Sequence, residues 1–307
     1  MSLQPTGFID LPAHAKTGGF DHAAVHESTG RIYVAHTAND AVDVIDIEAR
    51  KYIASVTNLT AVAGALVAEA PDLVFTSNRG ENTVGIFEPT GHPRVEKIDV
   101  GVRPNGLAYD SSRQRLLVAH VGDPAIPGSC TVSVVDVAAR RRIADIGVAG
   151  RTRWAVYDPI AEVFHVNISD PPQIVSIDAE RATVRRVVTI PSAGPHGLDI
   201  DVTKRRLFCA CDAAVLLEVD ADSGKALASE AIAGVPDVVF FNAALNRLYV
   251  AIGEPGVIEV FGTNPLRRQE TVTTESGAHT LSFDSARNIV CAFLPASHRA
   301  AVYQERV

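Results

Sequence analysis

The feature that most constrains this chain is a short β-rich segment that recurs seven times. Each copy is a run of β-branched, aromatic and small residues, and successive copies begin 42, 42, 47, 44, 41 and 41 residues apart. A fixed period of about 40 to 50 residues is typical of the blades of a β-propeller. The copies occupy residues 32–36, 74–78, 116–120, 163–167, 207–211, 248–252 and 289–293.

Each copy lies within a larger unit of four predicted strands. A shorter strand that begins near Gly or Pro precedes the copy, as in residues 104–110, and a third β-rich run ending mostly in an acid follows it, as in residues 132–136. A turn and a fourth strand, such as residues 184–190, complete the unit. No segment sustains a helical period. We therefore predict an all-β fold in which residues 1–307 form a single seven-bladed β-propeller with four antiparallel strands per blade.

The two ends of the chain predict how the ring closes. The seventh copy has an inner, a second and a third strand, and the sequence then stops before a fourth. Residues 7–12 resemble fourth strands such as residues 97–101. We expect this N-terminal strand to pair into the last blade, because that pairing removes an exposed sheet edge.

Composition and charge narrow the class of partner. Apolar residues make up 47% and charged residues 21%, which is typical of a globular domain. The net charge is −8 and basic runs are no longer than Arg140 to Arg142, which argues against nucleic acid as a partner. No apolar stretch approaches 18 residues, so membrane insertion is not expected.

The start of the chain and its cysteines bear on the cellular compartment. The first six residues lack the charged and apolar regions of a signal peptide, so we expect a soluble protein, cytoplasmic as written, or periplasmic or secreted where a leader has been removed. Cys209 and Cys211 alternate on one predicted strand, a spacing unfavourable for a disulfide. All four cysteines, Cys130, Cys209, Cys211 and Cys291, are predicted to be free thiols.

Several of these segments resemble one known family. Residues 33–36, 75–78 and 249–251, together with the Arg-Pro-Asn-Gly-Leu-Ala segment at 103–108, look like the repeats of the YVTN-repeat, YncE-like propellers. The resemblance covers essentially the whole chain and is specific for architecture. It implies a binding protein, often exported, in a family where many members have no known activity.

The candidate functional residues follow from the repeat. In a propeller, the starts of the inner strands and the ends of the second strands lie at the same end of the ring. The position five residues before the terminal turn residue of each inner strand is polar in six blades, with Ala63 in the second blade. Its residues are Asp21, Asn105, Arg153, His196, Asp237 and His279.

The second strands add further polar residues to this predicted mouth. Their last residues are His36, Asn78, His120, Asn167 and Cys211 in five of the blades. The two histidines and Cys211 depart from the Asn that usually ends the YVTN repeat. His22 and Trp154, one residue along from the inner positions, are expected to reach the same space. The predicted ligand-binding set is Asp21, His22, His36, Asn105, His120, Arg153, Trp154, His196, Asp237 and His279.

Two functions from different classes fit this mouth. The first is binding of a small molecule, peptide or protein partner, as the YVTN resemblance implies. The alternative is a metal-assisted or His-based hydrolase or lyase. The gluconolactonase-like propellers and virginiamycin B lyase, which are more distantly similar in architecture, use metal sites at the channel mouth, but no motif in this sequence places it among them. In that alternative His196, Asp237 or Asp21, and His279 bind a divalent metal ion or act as general acid and base.

Arg153 bears on the choice between these functions. A guanidinium beside the histidines and acids favours an anionic group over a cation. No catalytic residue and no certain cofactor follow from the sequence. A divalent metal ion on His196, Asp237 and His279 is the one candidate cofactor.

Two further segments complete the sequence-based expectations. Residues 121–130 account for the 47-residue step and are expected to project over the mouth, either as the rim of a binding site or as a tolerated insertion. His92 is expected in a solvated hairpin turn beside Gly91 and Pro93.

Overall fold

Seven four-stranded antiparallel sheets are arranged in a ring in the computed structural model, which describes residues 2–89 and 93–306. The predicted fold and blade count are confirmed. The expectation for His92 lies outside the described residues. From the axis outward, the strands are β2 (Phe20–His26), β3 (Arg31–His36), β4 (Ala41–Asp46) and β5 (Lys51–Val56) in blade 1; β6 (Val62–Ala68), β7 (Leu73–Asn78), β8 (Thr83–Phe87) and β9 (Glu96–Asp99) in blade 2; β10 (Pro104–Asp110), β11 (Arg115–His120), β12 (Thr131–Asp136) and β13 (Arg141–Gly147) in blade 3; β14 (Thr152–Asp158), β15 (Val163–Ile168), β16 (Gln173–Asp178) and β17 (Thr183–Thr189) in blade 4; β18 (Pro195–Asp201), β19 (Arg206–Cys211), β20 (Val215–Asp220) and β21 (Ala226–Ala231) in blade 5; β22 (Pro236–Asn242), β23 (Arg247–Ile252), β24 (Val257–Thr263) and β25 (Leu266–Thr273) in blade 6; and β26 (Thr280–Asp284), β27 (Ile289–Leu294), β28 (Arg299–Arg306) and β1 (Ser2–Asp10) in blade 7.

The N-terminal strand closes the ring as predicted. β1 pairs antiparallel with β28, with Phe8 opposite Ala301 and Leu3 opposite Glu305. The strand begins earlier than residue 7 and its register shifts between Pro5 and Gly7. The last sheet therefore has its fourth strand from the other end of the chain, and its outer edge is covered.

The core lies between neighbouring blades. One hydrophobic cluster, for example, packs Phe208 and Leu216 of blade 5 against Leu248 and Val250 of blade 6. The second strands are buried on both faces, as the continuous apolar runs in the sequence require, whereas outer strands such as β17 are largely exposed. Burial of apolar surface between sheets thus holds each blade to the next.

The inner strands carry an irregularity that matters for function. In six blades the pairing register with the second strand shifts just after the inner strand begins, for example between Pro104 and Leu107 in blade 3. Such a β-bulge frees one or two residues from the ladder and re-aims their side chains. The bulge contains the position at which the repeat alignment predicted converging polar residues.

The four cysteines are free thiols, as predicted: Cys130, Cys209, Cys211 and Cys291. The sulfur atoms of Cys209 and Cys211 are 3.9 Å apart.

Within residues 2–89 and 93–306, no helix has the length and apolar character needed to cross a bilayer.

Candidate functional site

Polar side chains from all seven blades meet where the inner strands begin, and we call this set the polar mouth. The bulges of the inner strands turn five of them toward the axis, and the first residues after β7 and β19 add Arg79 and Asp212. His279 directly precedes β26. The polar mouth consists of Asp21, Arg79, Asn105, Arg153, His196, Asp212, Asp237 and His279.

One half of the polar mouth is a chain of alternating acids and imidazoles. His196 donates from Nδ1 to Asp212 Oδ1 over 2.7 Å, and its Nε2 lies 3.0 Å from Asp237 Oδ1. His279 Nδ1 donates to the other oxygen of Asp237 over 2.6 Å. Carboxylate oxygens face both ring nitrogens of His196 and favour its protonated form, whereas Arg153 Nη1, 3.1 Å from Nε2, opposes it.

The pKa shifts agree with that protonation state. Burial alone lowers the pKa of His196, but the hydrogen bonds to Asp212 and Asp237 outweigh it and raise the pKa. Burial is likewise outweighed at His279, where Asp237 raises the pKa to about 9. Burial of Asp237 favours its neutral form, yet the two imidazoles hold its pKa well below the usual range. At neutral pH His279 is cationic and Asp237 is anionic.

The other half of the polar mouth is built on two arginines. Arg79 Nη2 donates to Asp21 over 3.2 Å and also to the side-chain oxygen of Asn105. Arg153 Nη2 donates to Asp212 over 3.3 Å. The Nε atoms of Arg79 and Arg153 are both buried without an acceptor in the part of the chain that the structure describes. The arginines therefore retain unfilled donors.

Two more arginines stand at the rim beside this network. Arg103 and Arg151 are exposed, and within residues 2–89 and 93–306 neither guanidinium has an acidic partner. Loss of hydration and then the positive charges of Arg153, Arg79 and Arg103 lower the pKa of Arg151. Three other guanidiniums thus lie close enough to Arg151 to disfavour its charge, which Asp212 partly offsets.

The rim arginines face a cavity of about 530 Å³, which we call the rim cavity. Its other wall is the 121–130 segment, including Asp123, Ile126 and Cys130. The side-chain oxygen of Asp123 is used within that segment, where it accepts the backbone N–H of Ala125 over 2.9 Å. The segment lies on the mouth side of the ring, as expected, and walls a cavity beside the polar mouth.

The balance of charge at this end of the ring differs from that of the whole chain. Four arginines and two imidazoles face five carboxylates here, in a chain whose net charge is −8. The arginines are Arg79, Arg103, Arg151 and Arg153, the imidazoles are His196 and His279, and the carboxylates are Asp21, Asp123, Asp170, Asp212 and Asp237. The excess of acids found over the whole chain is therefore absent at this end of the ring, which favours anions here over the rest of the surface.

His22 and Trp154 lie below the polar mouth and form its floor. Their ring centroids are 4.2 Å apart, with the rings tilted by 55°. Burial lowers the pKa of His22 even though Asp21 and Asp237 raise it, so this imidazole is neutral. His22, Asp21 and Asp237 each offer one ligand atom within 4.8 Å of the others, a grouping able to hold a metal ion.

This grouping differs from the set that the sequence indicated for a metal. Both sets contain Asp237, but the nitrogens of His196 and His279 are hydrogen-bonded directly to that carboxylate. The neutral His22 is the imidazole with the protonation state that a metal ligand needs. Occupancy of either set stays a prediction.

His36 and His120 do not reach the polar mouth, contrary to expectation. His36 is fully buried between Asp43 Oδ2 and His14 Nδ1, each 2.7 Å from one of its ring nitrogens. His120 lies 2.8 Å from the hydroxyl of Thr131 and accepts the backbone N–H of Gly101, and burial lowers its pKa to about 4. Second strands lie one row out from the axis, so these side chains find partners on the third strand or in nearby loops.

Four residues of the candidate site were not predicted from the sequence. Arg79 and Asp212 lie in the turns just after a second strand, one residue beyond the position that the alignment considered. Arg103 and Arg151 occupy the same repeat position, immediately before the inner strand, and this position was a usable signal. The other blades have small or apolar residues there: Gly19, Ala61, Gly194, Val235 and Gly277.

The comparisons with known proteins support the fold. No family model matches the chain, and no curated protein sequence matches it. Among solved structures, a chain of Kuenenia stuttgartiensis hydrazine synthase superposes with a TM-score of 0.83 at 13% sequence identity, covering 96% of this chain and 98% of that one. Identity this low establishes the shared seven-bladed fold alone, and membership of the YVTN family stays a prediction.

Proposed function

We propose that this propeller binds a small anionic molecule, bearing carboxylate or phosphate groups, at the rim cavity beside the polar mouth. The observation that carries the proposal is the pair of exposed guanidiniums, Arg103 and Arg151, that lack an acidic partner among the described residues and face one cavity. Guanidinium groups match carboxylate and phosphate oxygens in charge and in bidentate geometry.

The crowding of positive charge supports an anionic ligand. Burial and then the charges of Arg153, Arg79 and Arg103 disfavour the cationic form of Arg151, and Asp212 only partly offsets them. An anion placed between the rim arginines relieves that repulsion. The buried Nε donors of Arg79 and Arg153 indicate that the existing acids do not satisfy the cluster.

The acid–imidazole chain supplies a tunable part of the field. His279 keeps its positive charge up to a pH of about 9, because Asp237 stabilises the imidazolium. Affinity for an anion is therefore expected to fall as the pH rises through about 9. The pH dependence is weaker in a His279→Gln variant.

The size of the rim cavity supports a small molecule over a peptide or protein partner. Its volume of about 530 Å³ lies within the range of pockets that bind small ligands. A stable protein interface instead needs a large area of buried surface, which a cavity of this kind does not provide. Among a small molecule, a peptide and a protein, the geometry of the rim cavity thus favours a small molecule as the ligand.

A metal-assisted hydrolase or lyase is the second candidate. It is favoured by the buried, neutral His22 between Asp21 and Asp237, since a divalent ion takes one imidazole and two carboxylates as ligands. Against it, Nδ1 of His196 and Nδ1 of His279 are hydrogen-bonded to carboxylates, which raise the pKa of both imidazoles and disfavour a free base. Elemental analysis of protein purified without chelator separates the two: the second candidate requires one divalent ion per chain, lost in a His22→Ala variant.

The binding proposal is tested by calorimetric titration with citrate and with inorganic phosphate. We expect the Arg103→Ala/Arg151→Ala double variant to lose at least tenfold in affinity, because each charged hydrogen bond contributes about 1.5 to 3 kcal/mol. The matched control is Arg141→Ala/Arg267→Ala, which removes two exposed arginines from the outer strands β13 and β25. Equal affinity in the two double variants, or no binding of either anion to the wild type, contradicts the proposal.

A further inference from the structure

A second space lies below the floor formed by His22 and Trp154, and we call it the central cavity. Its volume is about 670 Å³ and its wall is made by the inner strands of all seven blades. Glu69, Ala70 and Ser111, which lie just beyond the far ends of β6 and β10, are also part of its wall. None of the polar-mouth side chains belongs to this lining, and the central cavity reaches toward the opposite face of the ring.

Five aromatic side chains line the central cavity. They come from blades 3, 4, 6 and 7, so rings stand on several sides of the space. Trp154 and Phe240 have centroids 6.3 Å apart at 88°, and Phe240 and Phe283 have centroids 6.5 Å apart. The aromatic residues are Tyr109, Trp154, Tyr157, Phe240 and Phe283.

A carboxylate on an inner strand interrupts this largely apolar wall. Asp199 stands at an inner-strand position where the other blades have Ala24, Leu66, Ala108, Val156, Phe240 and Ser282. Its Oδ1 accepts the N–H of Ile200 over 2.8 Å and its Oδ2 accepts the N–H of Phe241 over 2.7 Å. Neither partner carries a charge, and each oxygen has further capacity to accept a hydrogen bond.

The charges around Asp199 are one-sided. Glu69 is the other acid of the wall, and no Lys or Arg belongs to the described lining. The remaining titratable groups that line the cavity are His22, whose pKa is lowered by burial, and the phenols of Tyr109 and Tyr157, whose pKa values burial raises. All three are neutral near pH 7, so nothing in the wall balances the acids.

Burial disfavours the charge of Asp199 but does not abolish it. Burial raises the pKa of Asp199 to about 6, against the two backbone N–H groups that lower it. In most molecules Asp199 is therefore ionised at pH 7 and above. A desolvated carboxylate with no counter-charge is costly, and an apolar side chain of the kind found in the other blades avoids that cost.

We propose that the central cavity binds an organic ammonium ion, with its cationic nitrogen beside Asp199 and its apolar groups against the aromatic rings. An ammonium ion supplies the missing counter-charge, and the faces of Trp, Tyr and Phe attract cations with moderate strength. The site lies outside the proposed anion site and prefers the opposite charge. A purely structural role for Asp199, as a link between β18 and β22, predicts no such preference.

The experiment uses benzyltrimethylammonium as a permanently charged probe and benzyl alcohol as a neutral probe. Trp154 is the chain's single tryptophan, so its fluorescence reports directly on the cavity. At pH 8, where Asp199 is ionised, we expect a saturable change with benzyltrimethylammonium and at least tenfold weaker binding of benzyl alcohol. Benzenesulfonate, an anion of similar size, is expected not to bind there.

Variants separate charge from shape. Asp199→Asn removes the charge and is expected to abolish the preference for the cation while leaving benzyl alcohol binding unchanged. Asp99→Asn, an exposed position on β9, is the matched control and keeps the preference. Phe240→Leu is a second variant, which replaces one ring with an aliphatic side chain. It is expected to weaken binding of benzyltrimethylammonium severalfold more than binding of benzyl alcohol.

The outcomes divide clearly. Equal affinity for the cation and the alcohol, or a preference that survives Asp199→Asn, overturns the proposal, and so does the absence of any saturable fluorescence change. Citrate binding measured on the same Asp199→Asn protein reports on the anion site at the rim cavity alone. A failure of one proposed site is therefore distinguishable from a failure of the other.

Discussion

Asp237 sets the charge of the polar mouth by accepting a hydrogen bond from an imidazole at each oxygen. The repeat alignment predicted that Asp237, His196 and His279 converge, because they hold the same position in successive inner strands. It did not predict their pairing, which depends on side-chain direction within a bulge. Asp212, the other acid bonded to His196, follows a second strand and falls outside any strand pattern.

Asp199 gives a prediction at the same scale. Its folded-state pKa of about 6 lies above the unfolded value of 3.8, so its contribution to stability is largest below pH 3.8 and is lost as the pH rises through about 6. Relative to Asp199→Asn, the wild type is expected to lose up to about 3 kcal/mol of unfolding free energy between pH 4 and pH 8. Urea unfolding of both proteins at the two pH values measures this difference.

The Asn variant is its own control, because every other titratable group is shared. A difference in unfolding free energy that stays constant from pH 4 to pH 8 shows that Asp199 titrates normally.

At the scale of elements, the bulge at the start of the inner strands was not foreseen. The sequence shows Pro and Gly around it in blades 3 and 5, at Pro104, Gly106, Pro195 and Gly197. A Cβ on Gly106 would lie 2.4 Å from the carbonyl oxygen of Arg153, and one on Gly197 would lie 2.7 Å from that of Asp237. Glycine is therefore required where neighbouring inner strands approach closely, a reason that is visible only in three dimensions.

The N-terminal strand β1 was foreseen, because the seventh repeat lacks its fourth strand. Leu3 and Ile9 are each 2% exposed and pack on the two sides of blade 7, against blades 6 and 1 respectively. Ile9→Ala and Leu3→Ala are each expected to cost about 2 to 4 kcal/mol of unfolding free energy, as buried aliphatic truncations do. Denaturant unfolding measures the cost.

Phe8→Ala on the same strand is the matched control. Its side chain is 61% exposed, and its main contact is the guanidinium of Arg299 at 5.9 Å from the ring centroid. We expect a loss below about 1 kcal/mol. Equal losses for Phe8→Ala and Ile9→Ala mean that β1 does not seal the ring by burial.

For the whole molecule, the seven-blade ring follows from the period of the sequence, because each repeat buries its apolar faces only against its neighbours. The period also predicted which end of the ring is polar. It did not predict that His36 and His120 turn away from that end, since their partners Asp43 and Thr131 lie on third strands. Residue positions thus follow from the repeat, and side-chain directions follow from packing.

The assembled ring has two spaces that differ in their charged groups. The polar mouth and the rim cavity contain arginines beside their acids, whereas the central cavity has acids without Lys or Arg in its described lining. The floor of His22 and Trp154 lies between the two. This polarity along the axis arises from single substitutions at equivalent repeat positions, such as Arg103, Arg151 and Asp199, on an otherwise regular scaffold.

Anomalous scattering from crystals soaked in selenate tests the central claim, anion binding at the mouth, most directly. Selenate matches phosphate in shape and carries its own scattering signal, and protein purified without chelator retains any tightly bound metal. We predict a selenium peak beside Arg103 and Arg151, placed so that the selenate oxygens lie within hydrogen-bond distance of both guanidiniums. A metal peak between Asp21, His22 and Asp237, with no selenate beside the arginines, contradicts the account.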